Sequence, residues 1–413
     1  MKNRLGAFVI LLVFFSAKLY AGGFQINEHS ARAMAMGGAF TAVADDPSAI
    51  YFNAAGLTQL QGTHILFGTT LIAPVSTFRG IAPAITQYDM NKQYFFPSHF
   101  WISHSVNEKL ALGLGFTSPF GLGTKWDANW VGRYLAIETS LKVFTISPVV
   151  AYKLNDELSV SAGLVYSWAT VTITQKMPQM PFDGDAFITL DGKDNSAWGY
   201  NLGLLYKPTP KLSLGVSYHS QVKYTFKGTA VSVGNEKLIQ ADVLPNTNVT
   251  AKLTSPVNLT FGIAYDVFSD LKLSFDYQYV GWSSYDTLGV DFSDPNIADI
   301  ASPRLYDNSY ILRLGAEYKL ANNLKVGAGI YFDKSPVSPQ NMNPSLPEGD
   351  RLGFSGGIDY KLSDNLGVSA SYLFIRASQV TVTNSKELSV GLPFNGTYNS
   401  YANLASISLS YSL

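Results

Sequence analysis

The sequence predicts an all-β fold: a transmembrane antiparallel β-barrel of about fourteen strands, with an N-terminal plug of short helices in its lumen. Three observations lead there. Charged residues are 14% of the chain and aromatic residues 13%, against about 25% charged in ordinary soluble proteins. Beyond the N-terminus no apolar run approaches the length of a membrane helix. From Thr63 onward apolar and polar residues alternate in twos, the period of a strand with one face in an apolar medium. Residues 308–332 give the clearest case. Tyr310, Leu312, Leu314, Ala316 and Tyr318 share one parity, and Arg313, Gly315, Glu317 and Lys319 the other. Ala321-Asn322-Asn323 reverses the chain, and Leu324, Val326, Ala328, Ile330 and Phe332 resume the apolar face.

Residues 1–21 read as a secretory signal peptide. Lys2 and Arg4 charge its start, residues 5–15 are an apolar run, and Ala21 offers a small residue at the cut. The run is too short for a membrane anchor. Residues 22–62 lack alternation and are rich in Ala, Gly and Met. Small residues permit short helices and close packing, and Asp46 before Pro47 suits a helix start, so this stretch reads as the plug. Residues 63–413 read as the barrel wall, with strands near 63–77, 94–106, 110–118, 139–154, 158–175, 187–206, 211–227, 250–267, 270–288, 307–320, 323–333, 350–362, 365–381 and 400–413.

The connections fall into two classes. Short turns repeat a pattern of Tyr, a few turn residues and then Leu, at Tyr152, Tyr206, Tyr265, Tyr318 and Tyr360. Every one of these tyrosines has the apolar parity. Between them lie long loops such as residues 117–138, 228–249 and 334–349. Short turns at one end and long loops at the other are the asymmetry of an outer-membrane barrel, and a row of Tyr at one height fits a lipid interface. A soluble β-sandwich would also alternate. In lipid, a register slip would expose Arg351 or Lys361 at about 2–4 kcal/mol each near the midplane. The last strand ends with Ile407, Leu409, Tyr411 and Leu413 on one face. Such a strand suits recognition by the barrel assembly machinery, although these proteins usually finish on Phe or Trp.

Composition excludes other classes. The 29 basic and 30 acidic residues leave no net charge for a nucleic-acid partner. Without Cys there is no disulfide framework or Cys-ligated metal. His29, His64, His99, His104 and His219 lack metal spacing, and no cofactor motif is present, so neither a metal nor a cofactor is expected. Gly353-Phe354-Ser355-Gly356-Gly357 matches a nucleophile elbow by letters, but it lies in mid-strand rather than at a strand-to-helix turn.

Several motifs resemble the FadL/TodX family of outer-membrane transporters of long-chain fatty acids and hydrocarbons. These are Gly23-Phe24-Gln25-Ile26-Asn27-Glu28 at the mature start, and Asn53-Ala54-Ala55-Gly56 where the family's plug carries Asn-Pro-Ala. Ser118-Pro119-Phe120-Gly121 with Trp130 to Tyr134, and Leu346-Pro347-Glu348-Gly349-Asp350-Arg351, complete the set. Ala54 replaces the motif's Pro, which loosens the inference of gating there.

The resemblance implies a monomer in the bacterial outer membrane, surrounded by lipid and lipopolysaccharide, that takes up long-chain fatty acids or related hydrophobic compounds by passive diffusion. It implies a lateral exit at a kink in the third strand, for which Gly115, Pro119 and Gly121 are the candidates. Phe24, Phe116 and Phe120 are candidate lining residues. Arg313 and Arg351, which have inward parity, are candidates to meet a carboxylate. The competing readings are an outer-membrane lipid hydrolase, for which no Ser, His and acid group on one barrel face, and a general aqueous porin, which needs an open lumen.

Overall fold

A computed structural model describes residues 23–413. The signal peptide expected at residues 1–21 lies outside the described residues. The wall is a closed antiparallel barrel of fourteen strands. In chain order they are β1 (Thr63–Gly80), β2 (Ser98–Ser105), β3 (Leu110–Thr117, resuming at Gly121–Lys125), β4 (Glu138–Lys153), β5 (Leu158–Pro178), β6 (Asp185–Thr209) and β7 (Leu212–His219 and Lys223–Val233). There follow β8 (Thr247–Thr254 and Asn258–Phe268), β9 (Leu271–Val280 and Thr287–Phe292), β10 (Ser309–Ala321), β11 (Leu324–Asp333), β12 (Arg351–Lys361), β13 (Leu366–Ala377) and β14 (Gly396–Ser412). Each pairs with its sequence neighbours. The cylinder closes where β14 pairs with β1, from His64 against Ser412 to Gly80 against Gly396.

Parity decides which way each side chain faces. Leu112, Leu114, Phe261, Leu314, Phe354, Ile407 and Leu409 are exposed on the outward surface, as are the tyrosines Tyr152, Tyr206, Tyr265, Tyr318 and Tyr360 beside the short turns. An apolar girdle of this extent around a folded chain needs lipid. On the loop side the strands run beyond the predicted ends, β5 to Pro178 and β6 from Asp185. There the wall has left the apolar girdle, so alternation no longer signals it.

Residues 23–62 fill the lumen. They form a helix at Ala31–Ala35, a second at Ala49–Phe52 and a 3-10 helix at Ala54–Gln59, joined by irregular chain. The second helix starts at Ala49 rather than at Asp46. Asp46 instead accepts from the Ser48 N–H at 2.8 Å. Irregular backbone leaves orphan donors and acceptors, and away from water these must be paired. Inward side chains of the wall pair them. Asp276 accepts from the Phe40 and Thr41 amides at 3.1 and 3.0 Å. Ser355 accepts from Gly37 N–H and donates to Ala35 C=O, both at 3.0 Å. The Trp101 indole donates to His29 C=O at 3.1 Å.

Close approach is possible because the wall presents glycine where the plug touches it. A Cβ at Gly203 would strike Asn53, at Gly215 Thr41, at Gly315 Met36 and at Gly329 the Gly37 backbone. At the short-turn end a charge cluster adds to the hold. Arg32 donates to Glu317 through Nε (2.6 Å) and Nη2 (2.9 Å), and to Asp45 through Nη1 at 2.6 Å. Lys272 stands 3.4 Å from Asp45, and Lys325 3.2 Å from Glu317. Burial pushes the Asp45 carboxyl up, but Arg32 and Lys272 outweigh burial and hold it below the usual range.

Replacing Gly329 by Leu should drive the Gly37 turn off the wall while leaving the strand ladder intact. The expected result is a heat-modifiable barrel whose conductance in planar bilayers rises from near silence toward that of a chain lacking residues 22–62. Unchanged conductance in both would remove the plug as the seal.

Candidate functional site

The site begins at the interruption in β3. Its first piece pairs with β2 up to Phe116 and with β4 up to Thr117, and its second, among the barrel strands, pairs with β4, from Gly121 against Lys142 to Lys125 against Glu138. Between them, Pro119 has no N–H for a ladder, and Ser118-Pro119-Phe120 turns inward. The backbone groups released from the wall are taken up by the N-terminal segment. Ile26 N–H donates to Pro119 C=O at 2.9 Å, Gly121 N–H donates to Phe24 C=O at 3.0 Å, and Gln25 bridges Phe120. His29 ties the edge of the break. Its Nε2 lies 2.8 Å from Ile26 C=O, which can only accept, so Nδ1 accepts from the Thr117 hydroxyl at 2.6 Å. Burial, with His99 nearby, pushes this imidazole down to about 3, so it is neutral.

On the other side of the break, residues 94–97 bond to β1. Phe95 and Ile72 exchange amide–carbonyl bonds at 2.8 and 3.0 Å, and Thr70 N–H donates to Pro97 C=O at 3.3 Å. The Phe95 ring sits where a side chain on Gly123 would be. A seam therefore runs between residues 94–97 and Gly121–Lys125.

A cavity of about 490 Å³ follows this seam. Its inner wall includes Phe24, Phe120, Leu141 and Leu346. Its outer part reaches Lys142 and Phe144, which have outward parity on β4. A second cavity of about 300 Å³ lies among the long loops and shares Phe24, Leu122, Leu141 and Leu346 with the first. Phe24 thus stands between the two. Its ring meets Trp282 at 4.7 Å, Tyr285 at 5.7 Å and Phe120 at 6.1 Å, all edge-on. Gly23 before it has φ of +72°, and a Cβ there would enter the Trp282 indole, so only glycine suits this turn. Gly23 is held at both ends: its N–H donates to Glu348 at 3.0 Å, and its C=O accepts from Arg351 Nη2 at 2.9 Å. Arg351 also pairs with Glu348 and lies 3.8 Å from Asp333. Burial pushes the Glu348 carboxyl up to about 7 despite Arg351 beside it.

The structure distributes the sequence-predicted residues unevenly. Phe24, Phe120, Gly121 and Arg351 meet at the inner cavity. Arg313 does not line it. Arg313 Nη1 donates to Gln278 at 2.7 Å beside a smaller cavity of about 80 Å³, which also takes in Asp276, Tyr51 and His219. Phe116 needs correcting. It shares the parity of Leu112 and Leu114, so its ring faces outward and stacks on Phe144 at 6.2 Å. Gly115 also lies outside the kink. It sits in regular ladder opposite Trp101, whose indole occupies the place of a Cβ.

The Asn53-Ala54-Ala55-Gly56 stretch acts as a clamp on the wall. Asn53 Nδ2 donates to Thr41 C=O at 3.0 Å and Leu204 C=O at 2.9 Å, and its Oδ1 accepts from Ala55 N–H at 3.3 Å. A side chain at Gly56 would meet the Ala44 backbone. Ala54 opens the 3-10 helix, a first-turn position that Pro would also fit. Sequence reasoning missed Glu348 as the N-terminal anchor and Arg304, which lines the outer cavity 3.4 Å from Glu387. Both reside in long loops, where no periodicity points inward.

Comparison with known proteins agrees with this architecture. A family model described as "Outer membrane protein transport protein (OMPP1/FadL/TodX)" matches residues 12–413. The chain is 26% identical over 353 residues to outer membrane protein P1 of Haemophilus influenzae, covering 77% of this chain and 75% of that protein. It is 24% identical over 417 residues to the long-chain fatty acid transport protein of Escherichia coli, covering 91% and 92%. Among solved structures, a Pseudomonas aeruginosa FadL homologue superposes with a TM-score of 0.82 at 20% identity, over 96% of this chain and all (100%) of that one. The Pseudomonas putida toluene transporter TodX gives 0.75 at 17%, over 94% and 99%.

Substituting Arg351 by Met strands Glu348 and Asp333 in a buried site and should cost about 3–5 kcal/mol of stability. Adding Glu348→Gln should recover most of that loss, measurable as a double-mutant cycle of thermal unfolding in detergent. Strict additivity would show that Arg351 and Glu348 do not act as a pair.

Proposed function

The chain belongs to the OMPP1/FadL/TodX family of outer membrane transport proteins, and on that premise we propose that it takes up a long hydrophobic molecule, a fatty acid or a hydrocarbon, by passive diffusion. The molecule enters the cavity between the long loops and passes Phe24 into the inner cavity. It leaves sideways, through the seam at the break in β3, into the membrane. Relatives named for their cargo carry long-chain fatty acids or toluene, which favours cargo of this kind.

The observation that carries the reading is the inner cavity's reach, from Phe24 at the plug to Lys142 and Phe144 on the outward face of β4. A route with this shape keeps an acyl chain out of water, where each exposed CH₂ costs about 0.8 kcal/mol. Cavities of about 490 and 300 Å³ fall in the size class of small-molecule sites, roughly 300–1,000 Å³. Phe24 is the inner barrier in this scheme, because moving the N-terminal segment would join the two cavities. The plug, pressed against the wall at several glycines, argues against a general aqueous porin.

Joining β3 into a regular strand tests the exit. Pro119→Val with Gly121→Val restores a ladder donor at residue 119 and places a side chain against Ile26 at the seam. Uptake of labelled long-chain fatty acid or alkane by cells carrying this variant should fall about tenfold or more, as a barrier raised by about 1.4 kcal/mol would give, with barrel content in the outer membrane unchanged. Normal uptake would eliminate the lateral route.

A further inference from the structure

We propose that the inner cavity accepts its ligand as an uncharged molecule, so that an ionised carboxylate is excluded from it and a fatty acid can occupy it only in its protonated form. This rests on the uptake reading above and specifies the chemistry of that cavity. The charge lining the cavity carries the inference. Inside the wall it presents three carboxyls, Glu28, Asp333 and Glu348, against one guanidinium, Arg351. That guanidinium is engaged with Glu348, Asp333 and the Gly23 carbonyl. A ligand carboxylate would have to displace these partners and then sit beside the carboxyls it displaced.

Among the neighbouring groups, Arg313 shares a small pocket with Glu28, Tyr331 and Asp333 but lies outside this cavity, its Nη1 bound to Gln278. Glu28 accepts the Asn27 amide at 3.0 Å, and burial pushes its carboxyl up even with Arg313 and Arg351 in range. Tyr331, two positions before Asp333 on β11, lines the cavity and offers a hydroxyl. One position farther out, Asp350 is paired with Lys334 at 3.9 Å. The other cation lining the cavity, Lys142, is exposed on the outward face of β4, at the mouth rather than in the interior. Two like charges in a low-dielectric site repel strongly, and a buried charge without a partner is costly. An alcohol, ester, alkane or protonated acid meets neither cost. The hydroxyl of an alcohol or protonated acid can donate to a carboxylate, and in every case the tail fills the Phe24, Phe120 and Leu346 surface.

A competition experiment on the detergent-purified barrel tests this. Labelled hexadecan-1-ol is bound, and displacement by unlabelled hexadecan-1-ol or hexadecanoate is measured at about pH 8, well above the ordinary carboxyl range, and at about pH 5, near it. At the higher pH, hexadecanoate should need a concentration about tenfold or more above that of the alcohol. At the lower pH the gap should close, since protonating either the ligand or the cavity carboxyls acts in the same direction. Glu348→Gln, which frees Arg351, and Asp333→Asn should each narrow the gap at the higher pH. These are gains of binding that a misfolded variant could not produce.

Displacement by hexadecanoate equal to that by the alcohol at the higher pH would overturn the inference and leave the uptake reading standing. An unchanged gap in both variants would also overturn it. So would carboxylate displacement that vanishes in Lys142→Met, which would place an anionic ligand at the mouth. Failure of the alcohol to bind at all would overturn both this inference and the uptake reading.

Discussion

A membrane barrel has to pair every backbone polar group within the protein, because lipid offers no partner. The break in β3 removes Pro119 C=O and Gly121 N–H from the wall, and the N-terminal segment pairs both, through Ile26 and Phe24. The break in β3 and the plug are therefore one construction. Without residues 24–26 in place, the bent segment would carry unsatisfied groups into the lumen. Without the bend, the N-terminal segment would lose the edge that orders it. His29 completes the arrangement by bonding to Thr117, the last residue of the regular ladder, and to Ile26 C=O. Its neutrality, imposed by burial, is what lets one nitrogen donate while the other accepts.

The two ends of the plug are held by different means. Toward the short turns, Arg32 forks onto Glu317 and also bonds Asp45, with Lys272 and Lys325 adding charge of the same sign as Arg32. Asn53 clamps Leu204 C=O, and Ser355 and Asp276 bind the plug backbone directly. Removing one member of such a buried charged group leaves the others unmatched, so this end resists movement. At the other end, Gly23 is secured by a single carboxylate and a single guanidinium, and Phe24 rests edge-on against other rings. Edge-on aromatic contacts are worth only about 0.5–1.5 kcal/mol beyond burial. A local shift of residues 23–26 would break the Gly23 clamp and the Ile26 and Phe24 backbone bonds, still fewer contacts than displacing the whole plug, and it is the shift that would join the two cavities.

Much of this was legible in the sequence because a strand in lipid has to alternate. Residues 308–332 gave the hairpin, the tyrosines gave the interface row, and Ile407 to Leu413 gave the closing strand's outward face. Parity even contained the correct placement of Phe116, since it falls in step with Leu112 and Leu114. The inward glycines were visible as small residues, but their purpose was not. Gly329 matters because Gly37, nearly 300 positions away in the chain, rests on it. Nothing local specifies such a contact. The loop residues Glu348 and Arg304 were hidden for the same reason: they enter the lumen through irregular chain, and no period reports an irregular chain's direction. The wall's extension beyond the girdle escaped notice because the pattern that marks a strand there depends on lipid being present.

Arg351 joins these strands of reasoning. Inward parity on β12 made it look like a ligand clamp, and its position on the inner cavity agrees with that parity. Yet the guanidinium is spent on structure. It binds Gly23 C=O and Glu348, and Glu348 in turn binds Gly23 N–H, so two bonded side chains close around the residue that sets Phe24 in place. A charge committed in this way cannot also neutralise a ligand without releasing the N-terminal segment. On the proposal made above, the same pair that holds Gly23 decides what chemistry the inner cavity tolerates. On that proposal a neutral, long, apolar molecule occupies the inner cavity without competing for Arg351, whereas an anion would have to compete for it.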